Sequence, residues 1–121
     1  MVKALFDTNI LIDYLSGREE ARTELSLYKD KAISIITWME VLIGAQPQIE
    51  KRTRAFLEGF DLIVLDNDVA ERSIAIRREQ RLKLPDAIIL ASAEVHSLLL
   101  VTRNTKDFPA TSPNVRIPYH L

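Results

Sequence analysis

The sequence contains no cysteine and only two histidines, His96 and His120. The lack of thiols excludes disulfide scaffolds, zinc–cysteine sites, iron–sulfur clusters and thiol catalysis. A histidine-rich transition-metal site is excluded as well. A metal ion in this protein would therefore be bound by oxygen atoms, which favours a hard cation such as Mg²⁺ or Mn²⁺.

A strong charge of either sign is also missing. The 16 lysines and arginines nearly balance the 17 aspartates and glutamates, so the net charge is −1 at pH 7. This excludes a polybasic protein that binds nucleic acid through bulk charge, but it leaves room for local basic patches. No apolar run approaches 18 residues, and the N-terminus enters a strand-like segment without a signal peptide, so we expect a cytoplasmic protein without a membrane span.

The chain of 121 residues, of which 47% are hydrophobic, has the size and composition of one domain with its own core. Apolar runs that predict strands alternate with segments that predict helices. Because these runs are continuous rather than alternating, they indicate a parallel sheet covered by helices on both faces. The predicted strands are 2–6, 32–36, 62–65, 98–101 and an edge strand at 115–117; the predicted helices are 10–15, 18–29, one opened by Thr37, 49–59, one capped by 66–68 that runs to about 82, and a buried one at 86–96.

Acidic and amide side chains follow these strands, at the sheet edge where open parallel sheets bind ligands. Asp7 follows the first strand, Glu40 lies one turn into the helix after the second, and Asp86 begins the buried helix. Asn104 and Asp107 follow the fourth strand. Carboxylates brought together in this way repel one another and need a cation or a proton between them. The pattern therefore predicts a magnesium site with oxygen ligands.

Helix capping is an alternative interpretation of each acid. Asp7 is also placed to cap the helix after it, and Asp86 is favoured at a helix N-terminus by the macrodipole. Thr37 and Glu40 have the T-x-x-E spacing of a capping box. Asp13 is expected to be a surface residue or a partner that supports the site.

Four segments in this order resemble a PIN domain, and more narrowly the VapC toxins of bacterial type II toxin–antitoxin pairs. They are LFDTNILID at 5–13, SIITWMEVLIG at 34–44, LPDAIILASA at 84–93 and LVTRNTKDF at 100–108. The resemblance covers the whole chain. It implies a single PIN domain over 1–121, with a three-layer α/β/α fold and a small, mainly parallel sheet of four or five strands.

The resemblance also implies an activity, that of a metal-dependent endoribonuclease producing 3′-hydroxyl and 5′-phosphate ends. Asp7, Glu40 and Asp86 match the family's catalytic, metal-binding acids. Thr8 matches a supporting hydroxyl, and Thr37 or Ser34 a second polar residue. Asn104 departs from the pattern, because an aspartate usually stands there, so Asp107 is an alternative for completing the site.

RNA contacts and partners are expected as well. Arg103 lies inside the last motif, and Arg81 and Lys83 lie just before Asp86, although a run of basic residues is most often a solvated helix face. The resemblance implies a cognate antitoxin, a homodimer and a higher-order toxin–antitoxin complex. Apolar residues near the predicted site offer a surface for such a partner, although each also fits the core: Leu11, Tyr14, Leu15, Trp38, Met39, Leu42 and Ala45.

Three functions other than a nuclease remain as alternatives. A receiver domain needs a pair of acids after the first strand, and Phe6 precedes Asp7. A D-x-D phosphatase needs an acid at position 9, where Asn9 stands. A PIN-like domain with a decayed site, kept as a non-catalytic RNA- or protein-binding module, is favoured by Asn104 and opposed by the intact acids.

Overall fold

A computed structural model describes residues 2–109 and 111–121 of the chain. Strands and helices alternate through most of it, as the sequence predicts, and the strands are short. In chain order the elements are β1 (Ala4–Phe6), α1 (Thr8–Leu15), α2 (Glu19–Ser26), β2 (Lys31–Ser34), α3 (Ile35–Gly44), α4 (Glu50–Leu57), β3 (Asp61–Ile63), α5 (Asn67–Gln80), α6 (Leu84–Val95), β4 (Leu99–Val101) and β5 (Val115–Arg116).

The five strands form one parallel sheet in the order β3-β2-β1-β4-β5. The central strand β1 pairs with β2 on one side and with β4 on the other, where Phe6 lies opposite Val101. β5 is an edge strand, which confirms the sequence prediction. Because every strand runs the same way, the carboxyl ends of β1, β2 and β4 meet at one edge of the sheet.

Two hydrophobic cores lie on the opposite faces of this sheet. Successive side chains of a strand point to opposite faces, and β1 follows the rule: Leu5 belongs to the core formed with α5 and α6, whereas Phe6 belongs to the core formed with α1 and α3. Helix α6 is buried continuously over 87–93. The three-layer α/β/α fold and the buried helix are thus both confirmed.

The start of α3 corrects one local prediction. The helix begins at Ile35, because the Ser34 hydroxyl caps it by accepting a hydrogen bond from the Ile36 amide at 3.1 Å. Thr37 therefore lies inside the first turn and is fully buried. The predicted capping box at Thr37 and Glu40 is wrong, since an earlier cap already ends the strand, and Glu40 is left available for other contacts.

The outer strand β3 is shorter and more exposed than the sequence predicts. Its described pairing covers Asp61–Ile63, and the apolar side chains of Leu62, Val64 and Leu65 are exposed. β3 lies at the edge of the sheet and has a neighbouring strand on one side only, so its apolar residues are not all buried. None of the helices in the described ranges is long and apolar enough to cross a membrane.

Candidate active site

Asp7 lies at the centre of the carboxyl edge of the sheet, directly after β1. Its carboxylate caps α1 by accepting a hydrogen bond from the Thr8 amide at 2.8 Å. The other oxygen accepts hydrogen bonds from the Thr102 hydroxyl at 2.7 Å and from the Asn9 side-chain amide at 3.2 Å. The residue is only 5% exposed. Capping and membership of an acidic site are therefore compatible, because the two oxygens face different partners.

Glu40 is joined to the same edge through a threonine. The Thr8 hydroxyl donates to a Glu40 carboxylate oxygen at 2.6 Å, and it lies 3.1 Å from the Thr37 hydroxyl. Glu40 itself is exposed, whereas Thr37 is buried. The structure thus brings together the two threonines and the glutamate that the sequence predicts for the site. Ser34 has a separate role as the cap of α3.

Asp86 is brought to this cluster by the first turn of α6. Burial raises the pKa of Asp86, the negative charges of Asp107 and Glu40 raise it further, and Lys83 opposes them. Burial also raises the pKa of Asp7, against the hydrogen bonds from Thr102 and Thr8, and the charges of Asp86 and Glu40 add to the increase. The carboxylates therefore act electrostatically on one another and form a single acidic rim, which we define as Asp7, Glu40, Asp86 and Asp107.

The segment after β4 contributes Asn104 and Asp107 together. The Asn104 side-chain amide donates to an Asp107 carboxylate oxygen at 2.9 Å, and the Asp107 backbone amide donates back to the Asn104 side-chain oxygen at 3.1 Å. The Asn104 backbone amide donates to the Thr102 hydroxyl at 3.0 Å. Asn104 therefore holds Asp107 at the rim, and the two residues are parts of one turn.

The donor set of the rim suits a hard divalent cation. Its four residues offer carboxylate oxygens, and within residues 2–109 and 111–121 none of them forms an ion pair with a lysine or an arginine. In the same ranges no three acidic or histidine side chains are close enough to enclose one ion. A bound ion would thus be held by one or two carboxylates and by water, which is the usual way for Mg²⁺.

The three basic residues predicted to contact RNA have different surroundings. Arg103 forms a bidentate pair with the Asp13 carboxylate, donating hydrogen bonds of 2.6 and 3.1 Å to its two oxygens. Lys83 immediately precedes α6, and its charge acts on Asp86. Arg81 is exposed and ends α5 in the left-handed conformation, with φ of 57°. Asp13 is 6% exposed, so the surface interpretation of this residue is wrong, and its support of the site stays a prediction.

Two residues of the site were missed from the sequence, Asn9 and Thr102. Both hold Asp7, and the Asn9 side-chain amide also lies 3.3 Å from the Thr102 hydroxyl. The Asn9 side-chain oxygen accepts a hydrogen bond from the Arg103 amide at 3.1 Å. The available signal was their position, since each is a polar residue at the carboxyl end of a central strand.

Comparisons with known proteins agree with this geometry. The model of the PIN domain family matches residues 4–112. The tRNA(fMet)-specific endonuclease VapC of Shigella flexneri is 33% identical over 120 residues, covering 89% of this chain and 91% of that protein. The chain belongs to the PIN-domain family, in its VapC branch. This excludes the receiver-domain and D-x-D phosphatase interpretations.

Solved structures place this PIN domain among toxin–antitoxin proteins. A chain of a toxin–antitoxin complex from Klebsiella pneumoniae is 56% identical, with a TM-score of 0.93, and the match covers 98% of this chain and 99% of that one. A chain of a DNA-bound VapBC from Salmonella typhimurium is 26% identical, with a TM-score of 0.79 and 97% coverage of both chains. All four residues of the acidic rim lie within residues 4–112, which match the PIN family model.

Proposed function

We propose that this PIN domain is the toxin of a type II toxin–antitoxin pair and acts as a Mg²⁺- or Mn²⁺-dependent endoribonuclease. The observation that carries the proposal is the acidic rim. None of its four carboxylates forms an ion pair with a cationic side chain within the described chain, although the protein pairs the buried acids Asp13 and Glu24 with arginine. Negative charge concentrated in this way is suited to binding a divalent cation.

Asp7 and Asp86 are the residues that would hold the main ion, directly or through water. Glu40 would bind a second ion or orient the attacking water. A divalent ion at this place supplies an activated water and shields the charge that develops on the phosphoryl oxygens. The chain's own contribution is orientation: Thr102 and Thr8 fix the two oxygens of Asp7, and the Thr8 hydroxyl fixes Glu40.

RNA would reach the rim past basic side chains on both sides. Lys83 and Arg81 precede Asp86, and Lys106 lies next to Asp107 in the segment after β4. All three are exposed. A phosphate contact by Arg103 is limited by its two hydrogen bonds to Asp13, so Lys83 is now the stronger candidate. Electrostatic contacts of this kind make cleavage weaker as the salt concentration rises.

An antitoxin would bind the apolar face made by α1 and α3. Ile12 and Leu15 of α1, Met39 and Ile43 of α3, and the neighbouring Ile49 are all exposed. A small cavity of about 200 Å³ opens between Ile12, Leu15 and Ile49. The related Klebsiella pneumoniae structure is a toxin–antitoxin complex, which supports a protein partner here. Other residues predicted for this face are largely core: Leu11 is fully buried, Tyr14, Trp38 and Leu42 are half-buried, and Ala45 is partly exposed.

A homodimer, and a higher-order complex with the antitoxin, are part of the same proposal. A second group of exposed apolar side chains, on and beside β3, is available for contact between two copies; it consists of Leu62, Val64 and Leu65. The alternative function is a non-catalytic binding module with a decayed site. The hydrogen bonds between Asn104 and Asp107 weigh against it. Although Asn104 stands where the family usually has an aspartate, it holds the carboxylate of Asp107 at the rim.

The experiment that tests the proposal is cleavage of purified total RNA by the protein freed from antitoxin. The reaction is run with Mg²⁺ or Mn²⁺, with EDTA, and with the Asp7→Ala variant. We expect discrete fragments that need both the metal and Asp7. Asp30→Ala is the matched control, because Asp30 is an exposed aspartate before β2, at the opposite end of the sheet.

Two outcomes would contradict the proposal. Fragments that survive EDTA or Asp7→Ala would come from a contaminating or metal-independent nuclease. Folded protein that cuts nothing with either metal would favour the binding module, and calorimetric titration with Mn²⁺ would then measure whether the acidic rim binds metal at all.

A further inference from the structure

Asp13 is a buried carboxylate that neither the acidic rim nor the hydrophobic cores explain. It lies on α1, one and a half turns after Asp7, and is 6% exposed. Arg103 donates to both of its oxygens, at 2.6 and 3.1 Å, and the Tyr119 hydroxyl donates at 2.8 Å. A buried charge is tolerated when it is paired and hydrogen-bonded in this way. We name these three residues the Asp13 cluster.

The Asp13 cluster is connected to the acidic rim through the backbone. Arg103 lies between Thr102, whose hydroxyl binds Asp7, and Asn104, whose side chain binds Asp107. Its backbone amide donates to Asn9, and its guanidinium is held by Asp13. The segment that carries one wall of the site is therefore attached to α1 at its beginning, through Thr102 and Arg103.

The tail of the chain closes this arrangement. Tyr119 lies three residues after β5 and reaches the same Asp13 oxygen that accepts the shorter bond from Arg103. Within the described residues the tail has no hydrogen bond to the acidic rim, so its link to the site runs through Asp13 and Arg103. Since a catalytic group displaced by about 1 Å can lose on the order of 100-fold in rate, such anchoring has a functional consequence.

We propose that Asp13 and Tyr119 are positioning residues of the ribonuclease, which act through Arg103 to fix the 102–107 segment beside Asp86. The inference rests on the proposed function, because it assigns a role in that same reaction. Neither residue touches the metal or the RNA. Their part is to hold Asn104 and Asp107 at the distance from Asp7 that cleavage requires.

A second cluster of the same chemistry provides a matched control. Glu24, on α2, is 4% exposed and accepts hydrogen bonds from Arg116 at 2.6 and 3.0 Å and from the Tyr28 hydroxyl at 3.0 Å. It joins α2 to β5 and has no hydrogen bond to a rim residue in the described part of the chain. Loss of a buried carboxylate–arginine pair is therefore expected to destabilise both clusters. The Asp13 cluster holds a side chain of the 102–107 segment, whereas the Glu24 cluster reaches that segment only through the sheet, where the Arg116 carbonyl accepts a hydrogen bond from the Thr102 amide at 3.1 Å.

The test measures kcat and KM on a synthetic RNA that spans the cut site mapped on total RNA, with the unfolding of each variant followed in urea. The variants are Asp13→Asn and Tyr119→Phe, with Glu24→Gln and Tyr28→Phe as controls. At a temperature where every variant is folded, we expect Asp13→Asn to lower kcat by about 10- to 100-fold and Tyr119→Phe by about 3-fold. KM stays within about twofold. The control variants lose stability and keep the parent kcat.

The outcomes separate this inference from the proposed function. A parent protein that cuts no RNA would overturn both. If the parent cuts RNA but Asp13→Asn lowers kcat no more than Glu24→Gln does, the ribonuclease proposal is supported and the positioning role is contradicted. Asp13 would then have a purely structural role. If Asp13→Asn does not fold, Tyr119→Phe decides, because it removes one hydroxyl and leaves the ion pair in place. In an Arg103→Met background, Asp13→Asn should lower kcat little further, since the two residues act as a unit.

Discussion

Buried carboxylates occur in two different settings in this protein. Glu24 and Asp13 are each bound by an arginine through two hydrogen bonds and by a tyrosine hydroxyl. Asp7 is equally buried, but its hydrogen bonds come from an amide, a hydroxyl and a side-chain amide. Burial raises the pKa of Asp7, and the charges of Asp86 and Glu40 raise it further. At the other setting, burial and the hydrogen bond that the Tyr28 hydroxyl donates to the Glu24 carboxylate raise the pKa of the Tyr28 phenol to about 12.

The difference shows where the protein tolerates uncompensated charge. The chain has enough arginines to neutralise its buried acids, and it does so at two places away from the rim. At the carboxyl edge of the sheet it uses neutral donors, which orient a carboxylate without cancelling its charge. A site arranged in this way is costly for the protein alone and favourable for a bound cation.

The largest expected effect comes from removing charge at the rim. Asp86→Asn should lower the rate of metal-dependent RNA cleavage by on the order of 1,000-fold, because the loss of ion-mediated charge stabilisation is worth several kcal/mol. The fold should stay intact, since Asp86 forms no ion pair in the described chain. Single-turnover cleavage is the measurement, with Asp30→Asn as the control. A rate within about threefold of the parent would remove Asp86 from the site.

The paired acids should respond in the opposite way. Glu24→Gln should destabilise the protein by about 2 kcal/mol, less than for a fully buried pair because Arg116 is half-exposed. Cleavage by the folded variant should be unchanged. Urea denaturation at pH 7 measures the loss. If Asp86→Asn destabilises the protein as much as Glu24→Gln does, the distinction between paired and uncompensated acids is wrong.

The pH dependence of stability separates the two settings more finely. With its pKa raised in the folded state, Asp7 ionises first in the unfolded chain as the pH rises above about 4, so ionisation stabilises the unfolded state. Without metal, the ionisation of Asp7 therefore lowers the free energy of unfolding of the parent. This loss is absent at low pH, and it increases with pH until the pH exceeds the pKa of Asp7 in the folded state. It amounts to about 1.4 kcal/mol for each unit by which the pKa is raised.

Asp7→Asn removes this loss of stability. Between pH 4 and pH 7 in EDTA, the stability of the variant should therefore increase relative to that of the parent, whatever constant offset the altered hydrogen bonds introduce. Urea denaturation of both proteins at the two pH values gives the result. Parallel pH profiles would show that Asp7 has an ordinary pKa and that the rim is compensated.

The smallest expected effect on stability and cleavage is that of replacing Arg81, which forms no ion pair with an acid in the described chain. Arg81 is exposed and left-handed, so Arg81→Gly should stabilise the protein by about 1 kcal/mol by relieving backbone strain. If Arg81 also contacts RNA phosphate, cleavage should fall a few-fold and the slope of log affinity against log salt should decrease by about 0.7. Salt titrations of RNA binding and thermal unfolding measure the two effects. A stabilised variant with an unchanged salt slope would leave Arg81 as part of a solvated helix face.

Much of the fold and of the site could be predicted from local sequence patterns. The continuous apolar runs at 98–101 and before Asp7 predicted parallel strands, and the apolar stretch after Asp86 predicted a buried helix. Asp7, Glu40 and Asp86 were predicted together because parallel strands share one carboxyl edge. The start of α3 was not predicted correctly, since Ser34 and Thr37 are both good caps and the pattern alone does not decide between them.

The sequence by itself determined the classes of element, the order in which acids follow strands, and the oxygen-only chemistry of any metal site. These properties depend on residues that are close in the sequence and on the spacing of apolar residues along it, so a short stretch of chain is enough to reveal them. Only the tertiary structure decided which acids are neutralised. Asp13 meets Arg103 and Tyr119 across 90 and 106 residues of sequence, and Glu24 meets Arg116 across 92. Such pairs form because the fold brings α1 and α2 beside β5 and beside the segments that follow β4 and β5. Burial then makes the choice of partner decisive, because an unpaired charge costs far more inside a protein than in water.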